Sequence, residues 1–417
     1  MYFVGIDWAD QKHNVTIVDA AGATIVNNLI IPKNPHGFEQ LLDQLRSLSQ
    51  EAADFKIGIE TPHNLLVDYL IDFDYAVYAM FPGSMKSFRK RYRASSARDD
   101  EFDAFVVADV LRTDKACWRH IDFGSELVRE IRLYAWHHHQ MVADYVALNN
   151  SLRATLKEYY PEYLEFFADV TCANALAFLG AYPDFETAAA LTREQLANFF
   201  KEHKLRNHKT VNKIYEHLHQ PHLKVPATVI RVKKIKAVSC TKRLLALATD
   251  IEYYTQQLTE LVARHPDSKI FLSYPGVASV TAARLLALFG DNRALYADVS
   301  ELQALTGTCP VTAKSGKNFC AVYFRRACNK FYRDSMYHLA FSSLKAAAWT
   351  KAYYQRHKNM GKKHSHALRC LANLHLRLLF AMWKNRISYD ENLFLAQQAR
   401  HLIVNQKFLK KSIFNLT

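Results

Sequence analysis

The sequence predicts an α/β domain with a mixed β-sheet at its N-terminus, followed by an α-helical coiled-coil arm and a mainly α C-terminal part. Three observations carry this reading. Short β-branched, turn-bounded segments alternate with amphipathic ones over roughly the first 115 residues. Two long stretches in the middle place apolar residues at alternating steps of four and three, the mark of a coiled-coil seam. The last third opens on a glycine turn and continues as apolar, then basic and aromatic, helical segments. At 417 residues the chain exceeds what one core organises and divides into two or three domains.

Tyr2–Asp7, His13–Asp19 and Thr24–Ile31 read as an antiparallel meander. Pro35–Leu48 has a helical apolar period, and Lys56–Glu60 is the next strand. A helix from about His63, a strand at Tyr75–Phe81 and a helix from Asp100 complete a mixed α/β unit over residues 1–118. The first seam runs Leu127, Ile131, Tyr134, His138, Met141, Tyr145, Leu148, Leu152, and the second Cys240, Leu244, Leu247, Ile251, Tyr254, Leu258, Leu261. Two such helices far apart in sequence pair as an antiparallel arm over 119–265, interrupted by a basic helical insert at about 165–236. His138 is polar at a seam position, where it sets register. Residues 266–417 form the last part. There Ser273–Ala278 is a tight turn into the apolar helix Val280–Phe289, either a phosphate-facing helix start or a plain one. The loop Thr312–Asn318 then precedes a basic, aromatic helical stretch.

Composition narrows the function. Half the residues are hydrophobic and 23% charged, as in a folded globular protein. Lys+Arg number 54 against 40 Asp+Glu, a net charge of +14 that favours a polyanionic partner. No apolar run reaches the roughly 18 residues a membrane span needs, so nucleic acid is preferred over lipid. The N-terminus lacks a basic region and cleavage site, and the cysteines at 117, 172, 240, 309, 320, 328 and 370 contain no C-x-x-C pair. The expectation is a reduced, cytoplasmic protein with neither zinc site nor disulfide framework. Lys86–Arg93, Lys201–Lys213, Arg231–Lys236 and Arg356–Lys363 are candidate grips on nucleic acid, some interleaved with aromatic rings. His137–His139 and His217, His219 and His222 are read as phosphate partners or exposed residues rather than metal ligands.

The chemistry resides in carboxylates. Asp7 ends the first strand in Gly5-Ile6-Asp7, and Glu60 ends the fourth in Ile57-Gly58-Ile59-Glu60. Carboxylates at one sheet edge can share divalent cations, and a pair of Mg²⁺ ions can stabilise both the attacking and leaving oxygens of a phosphodiester. Asp103 adds a ligand from a helix, together with either Asp100, three residues away, or Asp99, four away; spacing does not choose between them.

Gly5-Ile6-Asp7, Ile59-Glu60-Thr61-Pro62 and Arg98-Asp99-Asp100-Glu101-Phe102-Asp103-Ala104 resemble the DEDD transposases of insertion sequences, bridge-RNA-guided recombinases. The resemblance implies an RNase H/RuvC-like N-terminal domain whose Mg²⁺ ligands are Asp7, Glu60, Asp100 and Asp103, with Asp99 where the family usually has threonine. It continues through Tyr274-Pro275-Gly276-Val277, Thr281-Ala282-Ala283, Leu305-Thr306-Gly307, Pro310 and Lys314-Ser315-Gly316, which are similar to the family's C-terminal transposase domain. By that likeness Ser315 is the nucleophile that holds the cut strand covalently, working with the carboxylates of another subunit. Lys314 and Lys317 flank it, and Arg325, Arg326 and Arg333 match the family's basic signature. Cys328 and Asp334 depart from that signature, standing where glycine and a second arginine are usual. The resemblance further implies double-stranded donor and target DNA, a structured guide RNA, and a homodimer or a tetramer built as a dimer of dimers.

The expected function is excision and insertion of a mobile element by strand exchange. A RuvC-like junction nuclease or RNase H-like nuclease without a covalent intermediate is the alternative enzyme; it needs the carboxylates but not Ser315. A non-catalytic nucleic-acid scaffold is the third reading, and the intact Asp7, Glu60, Asp100 and Asp103 argue against it.

Overall fold

The three N-terminal β-branched segments form the strands their patterns require: β1 (Tyr2–Trp8), β2 (Lys12–Asp19) and β3 (Thr24–Pro32). They belong to a computed structural model that describes residues 1–61, 64–80, 82–92, 99–114, 118–204, 208–315 and 319–396. Pro62, His63, Phe81, Arg93, Arg98, Cys117, Gly316, Lys317 and Asn318, all named above, lie outside the described residues. The chain divides into two units, Met1–Asp122 and Phe123–Thr417.

In the first unit the meander is followed by α1 (Pro35–Leu48), β4 (Phe55–Ile59), α2 (Leu65–Asp72), β5 (Ala76–Ala79), α3 (Pro82–Tyr92), α4 (Asp100–Thr113) and β6 (Arg119–His120). The sheet order is β3-β2-β1-β4-β5-β6. Strands β1, β4 and β5 run parallel, and β2, β3 and β6 pair antiparallel to their neighbours. The sequence reading did not foresee α3, whose Lys- and Arg-rich stretch carries little apolar period, or the two-residue edge strand β6. Helix α1 starts where Asn34 accepts a hydrogen bond from the Gly37 amide at 2.9 Å, with Pro35 in the first turn. Asn64 does the same for α2 through the Val67 amide at 3.0 Å.

The two faces of the sheet are covered differently. Val4, Ile6, Val15 and Ile17 are fully buried on one face, and on that face Phe38 of α1 meets His13 of β2. The other face carries Gly5 and Gly58, paired across β1 and β4, and it receives α4. A Cβ on Gly5 would lie 2.0 Å from the Ala104 carbonyl oxygen and 2.5 Å from the Ala108 amide. One on Gly58 would lie 2.8 Å from a Val107 methyl. The paired glycines therefore set how closely the α4 backbone lies on the sheet.

The second unit is mostly helical. Its two longest helices, α5 (Glu126–Tyr159) and α11 (Ala227–Arg264), pair antiparallel: the Tyr134 and Tyr254 rings meet at a tilt with centroids 5.2 Å apart, and Glu158 forms an ion pair with Lys233. His138 Nε2 lies 3.2 Å from Thr255 Oγ1, a polar link across the seam that fixes its register. Between them α6 (Tyr163–Phe166), α7 (Ala173–Ala181), α8 (Phe185–Ala189), α9 (Arg193–Glu202) and α10 (His208–Leu218) gather an aromatic core with Leu152, Leu156 and Leu244 of the long helices. The remainder is α12 (Ser268–Leu272), α13 (Ser279–Phe289), α14 (Val299–Thr306), the ribbon β7 (Val311–Ser315) and β8 (Phe319–Tyr323), then α15 (Lys330–Ala346), α16 (Ala348–Asn359) and α17 (His364–Asn385). These helices share a core with Ile131 and Ala135 of α5, centred on Phe271, Phe289 and Trp383. No helix among the described residues is long and apolar enough to cross a membrane.

The close approach of α4 gives a direct test. Gly5→Ala forces the Ala104 carbonyl away from β1, and the overpacking is expected to cost roughly 3 kcal/mol. Chemical denaturation of the full chain should show its N-terminal transition at lower denaturant. An unchanged midpoint would mean that α4 does not rest on the sheet backbone.

Candidate functional site

The site follows from register. Gly5 pairs with Gly58 and Ile6 with Ile59 across parallel strands, so the next step brings Asp7 level with Glu60, immediately past the end of β4. Alternation places both on the face that carries the two glycines, the face covered by α4. Asp103 immediately precedes Ala104, whose carbonyl sits over Gly5, so the same packing carries Asp103 to the carboxylate edge. Asp103 is buried, whereas Asp100, one turn earlier, is exposed. Asp99 caps α4, its side chain accepting from the Glu101 amide at 3.3 Å.

The electrostatics show that these groups share one field. The Asp7 carboxyl is raised to about 7, first by burial, then by the charges of Asp103, Asp100 and Glu60, while Arg89 pulls it back. Arg89 comes from α3 and bridges two of the carboxylates. Its Nε donates to Asp103 Oδ1 at 2.5 Å and an Nη donates to Glu60 Oε1 at 3.2 Å. Arg89 contacts Asp103 and Glu60, while the charges of Asp103, Asp100 and Glu60 still bear on the half-buried Asp7. Among the described residues no three His, Cys, Asp or Glu side chains converge as they would around a bound ion. Arg89 holds that ground instead. Sequence reasoning missed it, because Arg89 appeared only as one cation of the Lys86–Arg93 run; recognising it required α3.

Ser315 lies in the second unit. It is the last residue of β7, paired with Phe319 across the ribbon, and β7 is exposed along its whole length. The sequence expectation of a loop over 312–318 is thus corrected to a strand that ends at Ser315. Val311 and Thr312 favour extended backbone, and pairing with β8 replaces a packed face. Lys314 is exposed beside it, opposite Cys320. Arg325 is half-buried and Arg326 exposed. An Nη of Arg333 donates to the carbonyls of Arg325 and Arg326 at 2.6 and 3.3 Å. Arg333 and Arg369 also flank the Phe324 ring, at 4.6 and 4.5 Å from its centroid. Arg333 thus braces the turn that presents the other two arginines.

The other basic runs are unequal. In Arg231–Lys236, Lys233 pairs with Glu158 and Lys234 with Asp184, while Arg231 and Lys236 are exposed. The histidines are individually engaged: His217 with Glu165 at 3.5 Å, His219 with the Tyr215 carbonyl at 2.8 Å, His222 stacked on Phe185 and His139 near Asp334 at 3.8 Å. The Ser273–Ala278 turn is packed rather than open, since Ser342 donates to the Gly276 carbonyl at 2.9 Å.

Comparison with known proteins places the sequence in a family. Residues 4–161 match a DEDD transposase family of the IS110 kind, described as "Transposase", and residues 268–355 match "Transposase IS116/IS110/IS902 family". The chain is 30% identical over 397 residues to a Streptomyces coelicolor protein named "Mini-circle putative transposase for IS117", covering 93% of this chain and 95% of the relative. It is 26% identical over 388 residues to the "Insertion element IS116 uncharacterized 44.8 kDa protein" of Streptomyces clavuligerus, covering 92% and 95% of the two chains.

The carboxylate field has a consequence for stability. Because the folded chain raises the Asp7 carboxyl from 3.8 to about 7, its contribution is fully present below pH 3.8 and is lost as pH rises through about 7. In EDTA, Asp7→Asn should therefore be more stable than the parent at pH 8 and gain little at pH 4. After discounting for solvent screening, the gain at pH 8 is about 2 kcal/mol. Thermal unfolding at both pH values checks this, and a variant that is less stable at pH 8 would contradict it.

Proposed function

This chain belongs to the IS116/IS110/IS902 family of transposases, and from that premise we propose that it moves an insertion sequence by cutting and rejoining DNA strands. The observation that carries the reading is that the half-buried Asp7 at the end of β1 feels the charges of Asp103, Asp100 and Glu60, which with burial raise its carboxyl to about 7. Evenly solvated carboxylates would not interact in this way. Strand order, parallel pairing and the α4 carboxylate support an RNase H/RuvC-like reading of the first unit.

The donor set fits Mg²⁺, since carboxylate oxygens suit hard divalent cations and the charges of Asp103, Asp100 and Glu60 all bear on Asp7. Asp7, Glu60, Asp100 and Asp103 are the residues that would hold it, as two ions, and bound Mg²⁺ supplies Lewis-acid neutralisation of the reacting phosphate. Asp103 is fixed by the packing of α4, and exposed Asp100 stands on the side open to substrate.

Ser315 is the proposed nucleophile. Its exposure at the end of a ribbon suits attack on a phosphate in a duplex groove. Serine Oγ would form an ester to phosphorus as the bond to the leaving strand oxygen breaks. That oxygen departs as a hydroxyl, and a strand hydroxyl later attacks the phosphoserine and releases the serine. The ester preserves the bond energy, so rejoining needs no external source. Lys314 and Lys317 would neutralise the crowded phosphate, with Arg325 and Arg326 on the adjoining turn braced by Arg333. A net charge of +14 supports binding of donor and target DNA and of a structured guide RNA. Homodimers, or a tetramer formed as a dimer of dimers, would supply enough sites to join two duplexes.

Covalent trapping tests the proposal. The full chain is incubated with Mg²⁺, the RNA encoded by its element and labelled DNA bearing the element's ends, then denatured. A protein–DNA adduct is expected, absent in Ser315→Ala and reduced at least a hundredfold in Asp7→Ala. Cleavage without an adduct and unaffected by Ser315→Ala would establish instead a metal-dependent nuclease with the second unit as a clamp.

A further inference from the structure

We propose that Arg89 is a resident counter-cation of the carboxylate cluster, one that a divalent ion must displace in order to bind. The inference rests on the metal-binding reading given above. Arg89 reaches Asp103 at 2.5 Å and Glu60 at 3.2 Å, and so occupies two of the four groups assigned to the metal. These are sheltered contacts: the Asp103 side chain is 9% exposed, Glu60 21% and Arg89 itself 24%. A guanidinium fork across two carboxylates is a strong, directional interaction. It cannot coexist with an ion that takes the same oxygens as ligands, so arginine and metal compete for the cluster.

The build of α3 permits the exchange. The helix has its own ties to α4, independent of Arg89. Tyr92 donates its hydroxyl to Asp109 at 2.6 Å, and Arg91 pairs with Asp114 at 3.0 Å. The Arg89 side chain can therefore leave the carboxylates while the helix that carries it stays in place. The replacement is favourable on charge, because Arg89 brings one positive charge to the two carboxylates it bridges. A doubly charged ion neutralises more of their charge and accepts more of the oxygens. Without an ion, Arg89 keeps Asp103 and Glu60 paired, so the sheet edge is preserved without presenting an open metal site.

A different role, in which Arg89 holds Asp103 and Glu60 in the geometry a metal needs, predicts the opposite sign. Mn²⁺ titration by calorimetry of the full-length chain separates the two, with Arg89→Gln, Arg89→Lys and Asp7→Ala as variants. If the arginine-occupied form is the main one, its removal tightens Mn²⁺ binding by about tenfold, the inverse of the fraction left open. Arg89→Lys keeps the charge but loses the fork, so it should fall between Arg89→Gln and the parent. In EDTA, Arg89→Gln should melt several degrees lower than the parent and recover more on adding Mn²⁺. Equal or weaker Mn²⁺ affinity in both Arg89 variants, with binding abolished in Asp7→Ala, would overturn the displacement proposal and leave the metal site standing. Mn²⁺ binding that is absent from the parent, or indifferent to Asp7→Ala, would remove the metal reading and this inference together. Should Arg89→Gln fail to fold, the Arg89→Lys affinity decides.

Discussion

The distance between α4 and the N-terminal sheet governs the rest of the first unit. Helices ordinarily rest on sheets through side chains, which keeps backbones well apart. Here Gly5 and Gly58, paired across β1 and β4, remove the spacers, and the Ala104 carbonyl descends to where a Cβ would be. The descent has two effects. It buries Phe102, Val106, Val107 and Val110 against the sheet, which anchors the helix. It also carries Asp103 to the edge where Asp7 and Glu60 already stand. The same pair of glycines therefore supplies packing and brings like charges together.

Bringing charges together opposes folding. Asp7 is held in a half-buried place among carboxylates, and the rise of its carboxyl to about 7 records the cost of ionising it there. A sequence optimised only for stability would place an asparagine or an apolar side chain at such a position. The fold instead retains the anion and recovers part of the loss through Arg89. The exposed end of the cluster, at Asp100, remains in contact with solvent.

Much of this was legible in the sequence, and what was not has a physical reason. Strands and α1 could be read because alternation and helical period are local properties; Pro35–Leu48 was read with the bounds the structure gives. The choice between Asp99 and Asp100 was not local. Both fit the spacing to Asp103, and the family resemblance alone favours Asp100; in the fold Asp99 accepts from the Glu101 amide as the cap of α4. Helix α3 escaped because its pattern is basic rather than apolar, and with it escaped Arg89, whose partners lie 14 and 29 residues away. The ribbon ending at Ser315 was read as a loop because an exposed strand pair buries nothing and so leaves no apolar signature.

The second unit meets a different demand, placing basic groups and the β7–β8 ribbon outward from a helical core. Its long helices are locked in register by His138 and Thr255, a polar pair inside an apolar seam. Burial and the charge of Arg284 hold the His138 imidazole down at about 4, so near neutral pH this link is a neutral hydrogen bond without a buried charge. At the ribbon, one Nη of Arg333 donates to two backbone carbonyls and its guanidinium lies over Phe324, while Arg326 on the braced segment is exposed. Positive charge used for bracing is thereby separated from positive charge left to the solvent, and the run Arg231–Lys236 divides in the same way between paired and exposed lysines. Net charge alone cannot make that distinction, since it counts both kinds equally; the hydrogen bonds and ion pairs decide which cations remain available to a polyanion.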